Sequence, residues 1–392
     1  MIKSSRIESI DLLRGLVMIF MALDHVRDYF HADAFLYDPT DLSKTSIILF
    51  FTRWITHFCA PTFIFLAGTS AFLIGLRKSR QELSVFLIKR GLWLVFLEFT
   101  IINFAWFFNI QFSLVTLFVI WTLGIGMIVL AACIHLPFKL VLAIGVLLVV
   151  GHHALDNFHV EGNGMDAILW SMVHEQRGFP LPNGFFLFVG YPVVPWIGVM
   201  LLGYCFGVFY KPSYDSLIRR KILLYLGGGG VALFILIRFI NVYGDPNPWS
   251  VQPNAVFTVL SFLNVTKYPP SLLYLLMTLG PAILLLAVSE NYNGVVSQKV
   301  KVLGRVPMFY YLLHLYLIHL LAVLAAVLTG YDASDMVFNT WVTMSPNLKG
   351  FGFSLWVVYV IWIGVVISLY PLCKWYDDYK MAQRSKWWLS YL

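Results

Sequence analysis

Asp11, Arg14, Asp24, His25 and Asp28 all fall within one apolar stretch near the N-terminus. Arg14 and His25 are eleven residues apart. Eleven residues make about three helical turns, so on a helix the two share a face, roughly 16 Å apart along the axis. An arginine fork holds phosphate, and an imidazole exchanges a proton near neutral pH. With Met18 and Met21 on or near the line between them, such a stripe suits a narrow path with a phosphate at one end and a reacting atom at the other. The plainer reading pairs Arg14 with Asp11 and His25 with Asp28, as helix neighbours three residues apart do. Spacing alone does not choose between the two. Two charged pairs in one apolar run are nonetheless costly to place in a membrane.

Other ionisable residues interrupt apolar runs further on. His57 precedes Pro61, and a proline frees a backbone carbonyl four residues earlier that a polar side chain can satisfy. Glu98, with Asn103 beyond it, would stay protonated or pair with a neighbour's arginine. His314 and His319 are five residues apart and cannot share a face, so at least one is expected to face the interior; His319 reads as a core histidine. Tyr191-Pro192-Val193-Val194-Pro195-Trp196 reads as a broken or late-starting helix, and broken helices at membrane depth usually line cavities. His152, His153, Asp156 and His159 lie within eight residues of one another. No HExxH pattern accompanies them, so polar cleft residues are the preferred reading and no metal is predicted.

The elements that must position these groups are membrane helices. Of 392 residues 59% are apolar and only 12% are Asp, Glu, Lys or Arg, about half the charged share of a soluble domain. That excludes a soluble fold and a disordered chain. The net charge of +7 is spread along the chain without a nucleic-acid motif, so no nucleic acid is expected as a partner. Ten apolar runs are long enough to span: 10–30, 53–76, 90–109, 113–133, 139–155, 188–210, 222–242, 270–289, 306–329 and 351–373. They are continuous, not alternating, which favours helices over a barrel. The expected fold is all-α and polytopic, with residues 1–392 as a single integral-membrane domain. The first run is preceded by Lys3 and Arg6 and lacks a cleavage site, so it reads as a retained span. The cysteines Cys59, Cys133, Cys205 and Cys373 read as buried hydrophobes. The Gly227–Gly230 run reads as a helix-packing surface.

With both termini in the cytoplasm, nineteen of the 27 lysines and arginines fall inside or at the inner boundary. Lys44, Arg177, Lys267 and Lys349 fall outside, with Arg27 and Arg53 at the outer edge. This asymmetry favours cytoplasmic termini. Arg14 and Arg238 fall within spans. The apolar stretch 255–265 is too short to span and reads as interfacial or re-entrant.

The stretch Ser9-Ile10-Asp11-Leu12-Leu13-Arg14-Gly15, running on to Asp24-His25, resembles the opening of transmembrane acyltransferases. Pro61 to Gly68, the Tyr191–Trp196 segment with Gly198, and Phe309 to His314 resemble the bacterial group similar to the catalytic domain of heparan-α-glucosaminide N-acetyltransferase. The resemblance touches most of the spans. It implies transfer of an acetyl or related acyl group from cytoplasmic acyl-CoA to a sugar or glycan across the membrane. The broader acyltransferase-three family carries Arg, ten residues, then His in its first span, and Arg14 and His25 match. In the heparan enzyme the position of His25 resembles an Asn, and a later His is the catalytic one; His31 is the nearest counterpart here. The base is therefore His25 or His31.

On that reading acetyl-CoA is the co-substrate. Arg14, Lys89, Arg90 and Arg305 hold its phosphates at the inner side, and Asp24 or Asp28 orients His25. His57, Glu98, Trp196 and His314 line the cavity, where His57 or His314 is a candidate oxyanion donor. The partners are the lipid bilayer, acyl-CoA and the acceptor, and a homodimer is a compatible assembly. The location is a bacterial inner membrane. The competing expectation is a proton-coupled transporter that uses the buried His and Asp groups as a relay.

Overall fold

The computed structural model describes residues 7–290, 292–383, 386 and 389. Lys3 and Arg6 lie outside the described residues. Helices dominate: α1 (Glu8–Phe30), α2 (Ile47–Thr56), α3 (Cys59–Gly75), α4 (Arg80–Leu97), α5 (Asn103–Phe107), α6 (Val119–Cys133), α7 (Phe138–Gly151), α8 (Met165–Val173), α9 (Val193–Phe206), α10 (Ser216–Ile240), α11 (Ala255–Leu263), α12 (Leu272–Ser289), α13 (Val295–Arg305), α14 (Pro307–Leu328) and α15 (Leu355–Ala382). Among the described residues, seven helical stretches are long and apolar enough to cross a membrane. The remaining three of the ten runs belong to α1 with its buried charges, to α4 with its extension, and to α6, which is 15 residues long. The chain is an integral membrane protein with a mostly helical, polytopic fold.

Several boundaries differ from the apolar runs. The run at 53–76 starts earlier, at Ile47, and bends at His57 and Phe58, where α2 passes into α3. Pro61 leaves the His57 carbonyl without its helical donor, and the Tyr274 hydroxyl donates to it at 2.8 Å. The run at 90–109 starts at Arg80, behind a Ser79–Glu82 capping box. It then loosens into a π turn over Glu98–Ile102 before α5. The run at 113–133 divides into a strand, β1 (Leu114–Leu117), and α6. With β2 (Arg177–Pro180) and β3 (Phe186–Val189) it forms a small sheet in the order β1-β3-β2, the first pair parallel and the second antiparallel. Of the two readings of the Tyr191–Trp196 segment, the late start holds: its helix begins at Val193 and runs unbroken through Pro195.

The helix α1 is central. A Cβ added to Gly15 would collide with the Val300 carbonyl, and one on Gly304 with the Asp11 carbonyl, so only glycine lets α1 and α13 approach this closely. The Trp362 indole of α15 donates to the Ile19 carbonyl at 2.8 Å. Of the glycine run in α10, Gly227 and Gly230 face α12 at Gly280, while Gly228 and Gly229 have open space. Arg238, within the α10 span, turns its guanidinium to the backbone carbonyls of Asn247, Ser261, Phe262 and Asn264. It thereby ties the end of α11, the helix formed by the short 255–265 stretch, to α10. All four cysteines are free.

Candidate active site

Two cavities meet inside the helix bundle. The inner one, about 380 Å³, is lined by Arg14, Ser70, Arg90, Arg305 and Lys380 among apolar neighbours. The outer one, about 480 Å³, is lined by Asp24, His25, Arg27, Arg53, Lys267 and Tyr268, with a wall of aromatic side chains. Met21, Phe63, Val119 and Tyr311 line both. Arg14 and His25 therefore open into successive chambers along α1, and Met18 lines the inner one.

Arg14 keeps its ion pair with Asp11 at 3.5 Å and also donates to the Gly304 carbonyl and the Ser70 hydroxyl, each at 3.2 Å. The expected pairing of His25 with Asp28, and its orientation by Asp24 or Asp28, do not occur. Arg27 takes Asp24 at 2.7 Å and Asp28 at 2.8 Å, and Arg53 takes the other Asp24 oxygen at 2.6 Å. A guanidinium beside each carboxylate outcompetes a neutral imidazole. His25 turns instead to α14, where its Nδ1 lies 2.8 Å from Nε2 of His314.

That contact sets the protons. Nδ1 of His314 sits 2.9 Å from the Tyr310 carbonyl, which only accepts, so this nitrogen carries the hydrogen. In a neutral pair Nε2 of His314 then accepts from Nδ1 of His25. Nε2 of His25 is left with a lone pair, the form a general base needs. His25 also packs edge-on against Trp106, with ring centroids 4.7 Å apart, which fixes its plane.

The other expected residues divide. Arg90 and Arg305 line the inner cavity, and Arg305 also pairs with Asp377 at 2.9 Å. Lys89 is exposed and lines neither cavity. Adjacent helical residues point about 100° apart, so Lys89 and Arg90 cannot share one face. His31 follows α1, stands 4.0 Å from Asp33 and is absent from the cavity wall; burial lowers its imidazole below the ordinary value.

His57, Glu98 and Trp196 are buried but line neither cavity. Glu98 accepts from the backbone N–H groups of Phe118 and Trp121 and so caps the start of α6. Trp196 packs against Tyr191 and Tyr274. His314 stands behind His25, not in the wall. His319 is a core residue whose ring nitrogens meet the carbonyls of Ala105 and Met336.

Sequence reasoning missed Lys380, because the charges of α15 end its apolar run before the helix ends. It also missed Tyr311, Lys267, Tyr268, Gln176 and Trp106, which no local pattern marks as facing a cavity.

The helix bundle and its two adjoining chambers, one lined by basic side chains and the other by an oriented imidazole, define the class: a polytopic membrane protein with an internal polar site. The chain belongs to the heparan-alpha-glucosaminide N-acetyltransferase catalytic family, whose model matches residues 6–228. None of the curated proteins matches the chain significantly. Membership makes it a transmembrane acetyltransferase-like protein, and His25, Arg14 and Arg90 all fall in the matched portion.

Proposed function

We propose that the chain transfers an acetyl group from cytoplasmic acetyl-CoA to a hydroxyl or amine of a sugar or glycan on the far side of a bacterial inner membrane. The observation that carries this reading is the junction of the two cavities, with Arg14, Arg90, Arg305 and Lys380 on one side and His25 on the other. Basic side chains at the inner chamber suit the nucleotide phosphates, and the apolar neck at Met21, Phe63 and Val119 suits the uncharged pantetheine arm.

The thioester carbonyl then sits near His25. Nε2 of His25 takes the proton of the acceptor O–H or N–H as the acceptor attacks the carbonyl carbon. A C–O or C–N bond forms, the tetrahedral intermediate collapses, the C–S bond breaks, and the CoA thiolate leaves with the proton that His25 gives back. His314 holds the His25 tautomer throughout and is a positioning residue. Tyr311, lining both chambers, is the candidate donor to the oxyanion. The outer aromatic wall supplies stacking faces for a sugar.

The test is thiol release by purified protein given acetyl-CoA and a panel of sugar acceptors. Acceptor-dependent release of CoA supports the reading. Absence of CoA binding, together with proton-coupled solute uptake into liposomes, overturns it in favour of a transporter.

A further inference from the structure

The rim of the outer face carries a second cluster that the acyl-transfer reading does not use. Helix α7 ends in a tight turn over His152–Leu155, and His174 caps α8. Together they bring His152, Asp156 and His174 so close that one ligand atom from each lies within 4.8 Å of the others. Local spacing had drawn attention to His159, but that side chain is exposed and faces Glu175 at 3.6 Å. His174, eighteen residues beyond Asp156, takes its place.

The side chains are arranged as a ligand set. His152 is 3% exposed; the Pro270 carbonyl takes one side of its ring, and its nitrogens meet no other protein partner. A carbonyl only accepts, so the ring's lone-pair nitrogen is left without a donor, an arrangement native proteins rarely tolerate without a ligand. His174 is also buried; its Nε2 lies 3.0 Å from Asp156 Oδ1, and its Nδ1 has no partner. His153 supplies the support. Its Nε2 accepts from the Leu272 N–H at 2.9 Å, so its Nδ1 carries the hydrogen and donates to Asp156 Oδ2 at 2.7 Å. The carboxylate is thereby fixed with its other oxygen facing His174, as second partners fix carboxylates around metals.

We propose that His152, Asp156 and His174 form a site for a divalent transition-metal ion of the zinc type. Two imidazoles and one carboxylate are borderline ligands that suit zinc over calcium or magnesium, and a water completes four-coordination. Binding replaces the proton between His174 and Asp156 and gives a nitrogen of His152 its partner. The ion fastens the α7 turn and the end of α8 beside Leu272 at the start of α12. Gln176 and the Lys267–Tyr268 loop, which line the outer cavity, are close in sequence to those segments, so the ion braces the acceptor side of the cavity.

The test uses purified full-length protein with any affinity tag removed, stripped with chelator and titrated with zinc and with cobalt. About one tightly held equivalent per chain, a rise in melting temperature and a tetrahedral cobalt visible spectrum are expected. His152→Gln and His174→Gln should abolish all three while remaining monodisperse. His153→Ala should weaken binding by roughly 10- to 100-fold, and His159→Ala should change nothing. Wild-type protein that takes up no stoichiometric ion, or variants at His152 and His174 that bind as wild type does, would overturn the proposal. None of these readouts depends on acetyl transfer.

Discussion

The inner and outer cavities are built differently. Every residue lining the inner one lies on a helix, from α1, α3, α4, α6, α13, α14 and α15. The outer one takes much of its wall from connections: 34–39 after α1, Gln176, Phe188 and Tyr191 around β3, Lys267 and Tyr268 before α12, and Trp341, Thr343 and Met344 before α15. Helix walls keep a fixed spacing across the membrane, as a reagent with a constant nucleotide and arm requires. Loop walls tolerate change, as a chamber fitted to a particular acceptor requires. Under the proposed acyl transfer, donor recognition falls to the helices and acceptor recognition to the loops, and each half of that proposal can be broken separately.

The largest effect is expected at the junction. His25→Ala removes the base and should lower transfer by roughly 10²–10⁴-fold while leaving acetyl-CoA binding intact. Separate measurements of single-turnover transfer and CoA affinity check it. Full activity there, with His31→Ala inactive, would move the base to the loop and merge the two regions. His314→Gln should also reduce kcat, with little change in either KM, because it disturbs the tautomer and not the binding.

The next effect is on stability. Asp24 alone bridges Arg27 of α1 and Arg53 of α2, at 2.7 and 2.6 Å. Asp24→Asn deprives Arg53 of its carboxylate and leaves Arg27 with Asp28 only. It should cost about 3 kcal/mol, the low end for a broken buried pair because the cavity admits water. A fall in melting temperature in detergent, without loss of the inner cavity's CoA affinity, would show that the cluster belongs to the outer chamber. Arg90→Gln should do the converse. It should raise KM for acetyl-CoA by roughly 10- to 100-fold, the worth of one charge-assisted contact, with kcat and acceptor KM nearly unchanged.

The same contrast decides what the sequence made legible. The inner chamber follows from helical periodicity: Arg14 and Met18 lie one turn apart on α1, and Arg90 and Arg305 end up facing the same space. Lys89 points to the outside of the bundle because adjacent helical residues lie about 100° apart, so of the basic pair Arg90 faces the chamber. Lys380 was missed because Lys374, Asp377 and Asp378 end the apolar run, although α15 continues to Ala382. The outer chamber has no such period. Arg27 and Arg53 looked like topology charges at a membrane edge, yet they hold the α1 carboxylates. The His25–His314 contact joins residues 289 apart in sequence, and nothing local encodes it. Glu98 reads as a cavity residue and Arg238 as a charge within a span, and burial of charge suggests function for each. Both bind backbone groups, a use of charge that hydropathy cannot distinguish.

The smallest predicted effect tests the loops most narrowly. Trp170, Trp249 and Trp341 all lie in outer segments and could all stack on a sugar. Trp170 packs on Phe158 and His174, and the Trp249 indole donates to the Arg238 carbonyl at 2.8 Å. Among the three, Trp341 lines the outer cavity, held by Phe118 and Trp106 at centroid distances of 5.0 and 5.2 Å. Those neighbours fix its plane, so a sugar meets a preformed face. Trp341→Leu keeps apolar bulk but removes the ring, and should raise acceptor KM by about threefold to tenfold, the worth of one aromatic contact. The KM for acetyl-CoA should not move. A shift in donor KM instead would mean that the loops shape the whole path, and the division between helix-built donor site and loop-built acceptor site would fall.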